Sequence, residues 1–206
     1  MEDAEEIPGR PKYGTMFIHP NPDVAAKFAE AACSLPPTDD EVYLNLFCDA
    51  SQDINDPARG GISVTFPHRV SDSGRSPRDL ISAAWPVNPI YDNRLGELLA
   101  LAQCLVVATD QIVEFREAPT VAGKTIVVRI FNDNMHNLQF ICGWRQLDDD
   151  FVTLAWPVIK LIRLAIQNLL STPVVLEMHW IPGHNHRVEA HRIVVAREML
   201  FGCRSR

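Results

Sequence analysis

Basic residues are in short supply in this chain. Lysine and arginine total 19 against 26 aspartates and glutamates, a formal net charge of −7 at pH 7. Contacts to phosphate depend on lysine and arginine, so this balance argues against nucleic-acid binding by overall charge and leaves room only for a local basic face. Paired cysteines are missing as well. The five present are an odd number with no C-x-x-C or C-x-x-C-H spacing, which argues against a zinc ribbon or a haem attachment site. Cys48 and Cys104 fall in apolar runs, where thiols are usually inert core residues. The acidic start, Glu2-Asp3-Ala4-Glu5-Glu6, carries no hydrophobic signal core. The longest apolar stretch, Val152 to Leu170, is interrupted by Pro157, Lys160, Arg163 and Gln167, and reads as an amphipathic helix rather than a membrane span. The expected setting is therefore intracellular, cytoplasmic or nuclear, with no secretion and no membrane partner. Internal repeats and low-complexity tracts are also absent.

What is present suits one domain with an extension. The chain has 206 residues, 47% of them hydrophobic and 22% charged, enough for a full core and too apolar for a disordered protein. Residues 1–40 read as an N-terminal extension with a short helix, introduced by Asn21-Pro22 and closed by Pro36-Pro37. Residues 41–206 read as the main domain. Strands are expected at Val42–Cys48, Gly61–His68, Leu80–Val87, Thr125–Asn132 and Val174–Ile181. The first three are joined by turn-rich connections, which predicts an antiparallel meander. Helices are expected from Asn93 to about Val107 behind Asp92 as N-cap, over Met135–Trp144, from the Asp148–Asp150 run to before Pro173, and over His186–Phe201. The order predicts an α/β fold with a mixed five-stranded sheet, three antiparallel strands then two parallel, flanked by helices. Trp144 and Trp156 are expected in the core. His179 and His186 are expected to be structural or exposed, and His19, His68 and His136 carry no signal.

Three carboxylates occupy comparable places. Asp49 follows one apolar run, Asp133 follows another, and Glu97 lies near the start of the helix-patterned stretch between them. Each alone is an ordinary residue for its position: a strand-ending turn residue, an N-cap, a first-turn acid. Acids at the ends of neighbouring strands can converge, with a helix start supplying a third. Converging acids repel unless a cation lies between them, so the trio suggests a divalent-metal site of the kind that serves phosphoryl chemistry.

Four segments then resemble, in order, the motifs of type 1 ribonuclease H. They are Asp49-Ala50-Ser51 after a strand, Asn93-Arg94-Leu95-Gly96-Glu97 at the head of a helix, Phe131-Asn132-Asp133-Asn134 at a strand end, and His179-Trp180-Ile181-Pro182-Gly183-His184. The last is the sharpest. The resemblance covers about residues 41–206. It implies a ribonuclease H-like domain, cellular or retroelement-derived, that hydrolyses the RNA strand of an RNA–DNA hybrid with two Mg2+ or Mn2+ ions. It implies that Asp49 bridges both ions, that Glu97 and Asp133 complete the leaving-group side, and that His184 assists proton movement or product release. Asn93 would read a 2′-hydroxyl, and Ser51 is placed with it among the substrate contacts. The family's fourth carboxylate, by alignment to Ala190, is His191 in this chain, a poorer magnesium ligand that suits manganese better. No basic helix-loop is evident. The alternative reading is a weakened or inactive ribonuclease H-like module that binds nucleic acid or a protein partner.

Overall fold

The computed structural model describes residues 12–53, 56–67, 80–87, 89–90, 92–144, 146 and 148–183. The strands are β1 (Thr15–Phe17), β2 (Glu41–Asp53), β3 (Asp56–Pro67), β4 (Leu80–Pro86), β5 (Thr125–Asn132) and β6 (Val174–Trp180). The helices are α1 (Pro22–Ser34), α2 (Asn93–Glu117), α3 (Met135–Ile141) and α4 (Asp149–Leu170). The expected final helix, from His186, lies outside the described residues.

The strands form a six-stranded sheet in the order β1-β6-β5-β2-β3-β4. β2, β3 and β4 are antiparallel neighbours, whereas β2–β5, β5–β6 and β6–β1 are parallel. This is the predicted mixed sheet with one strand added. β1 comes from the segment before residue 41 and pairs with the outer side of β6. Three residues framed by Gly14 and Pro20 are too short to show a period of two, so the sequence carries no strand signal there.

Alternation along β2 builds the two faces. Val42, Leu44, Leu46, Cys48 and Ala50 join the large core beneath α2 and α4. Phe47 points the other way, and packs with Phe131 and Ile181 against Ala26, Ala29 and Ala32 of α1. α1 is opened by Asn21, whose side chain accepts from the Asp23 and Val24 amides. Its last carbonyls are met from the sheet. The Arg129 guanidinium donates to Ala32 O at 2.7 Å and the Asn45 amide to Cys33 O at 3.5 Å.

α2 runs ten residues past the expected end at Val107, to Glu117. Ala108, Gln111 and Ile112 keep its buried stripe going, and no proline or glycine intervenes before Pro119. α4 passes through Pro157 and buries Phe151, Ala155, Ile159, Ile162, Ile166 and Leu169. That stripe leaves Trp156 40% exposed, and Trp144, beyond the end of α3, is 63% exposed. Neither tryptophan is in the core as expected. Trp156 lies next to Ala155 but about 100° round the helix, and its ring sits 5.4 Å from the Lys160 ammonium. α2 and α4 are each long and apolar enough to cross a bilayer by length and composition, with mean hydropathy of 1.6 and 1.2. Both pack against each other, and each packs on the sheet.

Candidate metal centre

The parallel ladder between β2 and β5 stops at Phe47 and Phe131. Two residues further on each chain stand Asp49 and Asp133. They leave the sheet at the carboxyl ends of its parallel strands, where ligands of open α/β sheets commonly bind. Asp49 does not end its strand, however. β2 continues to Asp53, and Asp49 pairs with Ser63 of β3.

Glu97 reaches the same point from α2. The helix starts at its expected N-cap, since Asp92 accepts from the Arg94 amide at 2.8 Å. A β-carbon at Gly96 would lie 3.1 Å from that of Ala50, so the missing side chain lets the first turns of α2 settle onto β2. Arg94 locks this end of the helix. Its guanidinium meets Asp92 at 2.7 Å and Asp148 at 2.9 Å, and stacks over Phe151 at 4.1 Å. Asp148 is the N-cap of α4, so one cation joins the starts of two helices. From the other side, the Asn137 amide donates to Arg94 O at 2.9 Å and holds α3 against α2.

The result is that ligand oxygens of Asp49, Glu97 and Asp133 all lie within 4.8 Å of one another. Glu97 is 3% exposed and Asp49 8%. Burial, first, and then the charges of Asp133 and Asp49 push the Glu97 carboxyl well above the ordinary carboxylate range. The Asn132 amide works in the opposite sense. It donates to Glu97 Oε2 at 3.3 Å and to Cys48 O at 3.4 Å, while its own oxygen accepts from the Asn134 amide at 2.9 Å. The backbone of Asp133 is held by Trp180, whose indole N–H donates to its carbonyl at 3.0 Å. Gly183 lies so close that a β-carbon there would stand 3.0 Å from Asp133 Oδ2, which accounts for glycine at this point of the Pro182-Gly183 turn.

Glu97 and Asp133 open onto a groove of about 360 Å³ that Asn93, Asn134, Met135, His136 and Trp180 also line, while Asp49 stands behind them. Asn93 lines this groove. Ser51 is buried in β2, in register with Gly61, two residues beyond Asp49. His184 and His191 lie outside the described residues. Three participants were not foreseen. Asn132 precedes Asp133, and strand alternation sends its side chain towards Glu97. Trp180 works through its N–H. His136 is exposed on the groove, and nothing in the sequence marked it beyond its place just after Asp133.

No known family's sequence profile matches the chain, and no curated protein matches it. Solved structures do. The ribonuclease H1 of the halophilic archaeon Halobacterium salinarum is 17% identical, over 78% of this chain and 99% of that one, with a TM-score of 0.45. LC11-RNase H1, isolated from compost by a metagenomic approach, is 16% identical over 79% and 99%, with a TM-score of 0.48. The protease–reverse transcriptase of prototype foamy virus is 10% identical over 78% and 20%, with a TM-score of 0.41. This chain itself shows a mixed six-stranded sheet flanked by helices, with three carboxylates gathered near the carboxyl ends of two neighbouring parallel strands.

Proposed function

We propose that this chain is a metal-dependent endoribonuclease acting on the RNA strand of RNA–DNA hybrids. The observation that supports it most is the convergence of Asp49, Glu97 and Asp133 within 4.8 Å of one another, with Glu97 and Asp133 lining an open groove. The donor set fits a hard divalent cation. It consists of carboxylate oxygens, and a cation among them would remove the repulsion that now raises Glu97. Magnesium or manganese, two ions in this reading, would supply an activated water and charge stabilisation for the departing 3′ oxygen.

The chain's own residues set the geometry. In this reading Asp49 would hold both ions, and Glu97 and Asp133 the one on the leaving-group side, roles carried over from the motif resemblance. Asn132 and Trp180 orient Glu97 and Asp133. Asn93, one helical turn before Glu97, faces the groove where a 2′-hydroxyl would be read. His184 assists proton movement and His191 takes the fourth ligand place, roles carried over from the motif resemblance. An intracellular setting belongs to the same reading.

The test is cleavage of a labelled hybrid with magnesium and with manganese. Asp49→Asn abolishes cutting. His191→Asp raises the magnesium-supported rate. If neither ion supports cutting, the second reading takes over: a ribonuclease H-like module that binds nucleic acid or a protein without cleaving. The net charge of −7 is the observation that favours it.

A further inference from the structure

Four rings stand in file across the sheet, one step below the acidic edge. They are Phe17 of β1, His179 of β6, Phe131 of β5 and Phe47 of β2. Phe17 is the register partner of His179, His179 of Phe131, and Phe131 of Phe47. Centroids are 4.4, 4.9 and 4.8 Å apart along the row, and the planes are within 5°, 26° and 18° of parallel. These separations are those at which aromatic pairs attract beyond simple burial. The inner three rings are buried, and Phe17, 37% exposed, closes the row on its outer side.

Every inner ring has a short link to the candidate centre. Phe47 precedes Asp49 by two residues within β2, so ring and carboxylate share a face of that strand, and Phe131 precedes Asp133, just past the end of β5, by two. His179 precedes Trp180, whose indole N–H holds the Asp133 carbonyl. The imidazole is also fixed at its rim. Its Nε2 lies 3.2 Å from Glu177 Oε2, which also accepts from Arg129 at 2.7 Å.

We propose that Phe17 is a positioning residue for the carboxylate centre, acting through His179, Phe131 and Trp180, and that β1 is part of the working site. What the positioning serves rests on the nuclease reading. The positioning itself rests on the row of rings. With the Phe17 ring gone, one face of His179 opens to water and the end of β6 that carries Trp180 loosens.

The experiment compares Phe17→Ala, Phe17→Leu and Phe17→Tyr in the full chain. It measures hydrogen exchange of the Trp180 indole N–H by NMR, and manganese affinity by calorimetry. Alanine and leucine speed indole exchange about threefold to tenfold and weaken manganese binding by a similar factor, whereas tyrosine restores both. A leucine variant that matches the parent would show that bulk suffices and overturn the proposal. So would an alanine variant with unchanged indole exchange, or one in which sheet amides throughout lose protection equally. A parent protein that neither holds manganese nor cuts hybrid defeats the nuclease reading instead, and the indole measurement still decides the role of Phe17.

Discussion

Glu97 is where pH acts on this protein most directly. Its folded-state pKa lies well above the ordinary value of 4.5, chiefly through burial and then through Asp133 and Asp49. A raised carboxyl binds its proton more tightly in the folded than in the unfolded state, so stability falls as pH rises between the two pKa values. In metal-free buffer the thermal midpoint should drop as pH climbs from about 4.5 towards neutrality, and Glu97→Gln should flatten that slope. Calorimetric melts across that range check it, and a parent slope of the opposite sign would contradict the burial argument. The acids themselves were legible in the sequence, because strand ends and a helix start are places where side chains can meet. Their supports were less so. Asn132 and Trp180 act through an amide and an indole aimed by tertiary packing, and such aim leaves no periodic trace. Trp144 and Trp156 misled because large apolar residues are expected inside, yet Trp156 lies off the buried stripe of α4 and Trp144 lies past the end of α3.

Among the elements, the contact between α2 and β2 decides how near Glu97 comes to Asp49. Gly96→Val should force the helix outward against Ala50, at a cost of about 1–3 kcal/mol, and should reduce manganese affinity more than a stability loss of that size explains. Urea melts beside metal titrations separate the two effects. The joint between α1 and the sheet makes a second test. Arg129 is 4% exposed and bonds Glu177 at 2.7 Å, Ala32 O at 2.7 Å, and stacks 3.9 Å over Tyr43. Arg129→Met should cost about 3 kcal/mol or more in chemical denaturation, because Glu177 loses the guanidinium beside it and keeps only His179, and a helix-end carbonyl loses its donor. Element starts were easier to read than element ends. Asn21, Asp92 and Asp148 cap α1, α2 and α4 through side-chain bonds that the sequence announces. The ends of α2 and β2 are set by what they pack on. β2 runs on to Asp53 because β3 pairs with it, a fact no local pattern contains.

For the molecule as a whole, charge and metal are linked. Three buried or half-buried acids close together in a chain of net charge −7 repel one another and lower the stability of the fold. Magnesium or manganese at a hundred times its dissociation constant should add about 2.7 kcal/mol to unfolding at neutral pH, and Asp49→Asn should cancel most of the gain. Melting with and without chelator measures it. The sheet's division into an antiparallel and a parallel half was legible from the turn-rich first half and helix-linked second half. β1 was not, since an edge strand of three residues is recognisable only by the neighbour it joins. One consequence follows from how the acids are mounted. Asp49 is gripped within a strand that continues past it beside β3, whereas Asp133 stands beyond the end of its own strand, tethered by the Trp180 indole. The first is a fixed jaw and the second an adjustable one. A cation held between them would meet its fixed oxygen at Asp49, and a change of ionic radius would be taken up at Asp133.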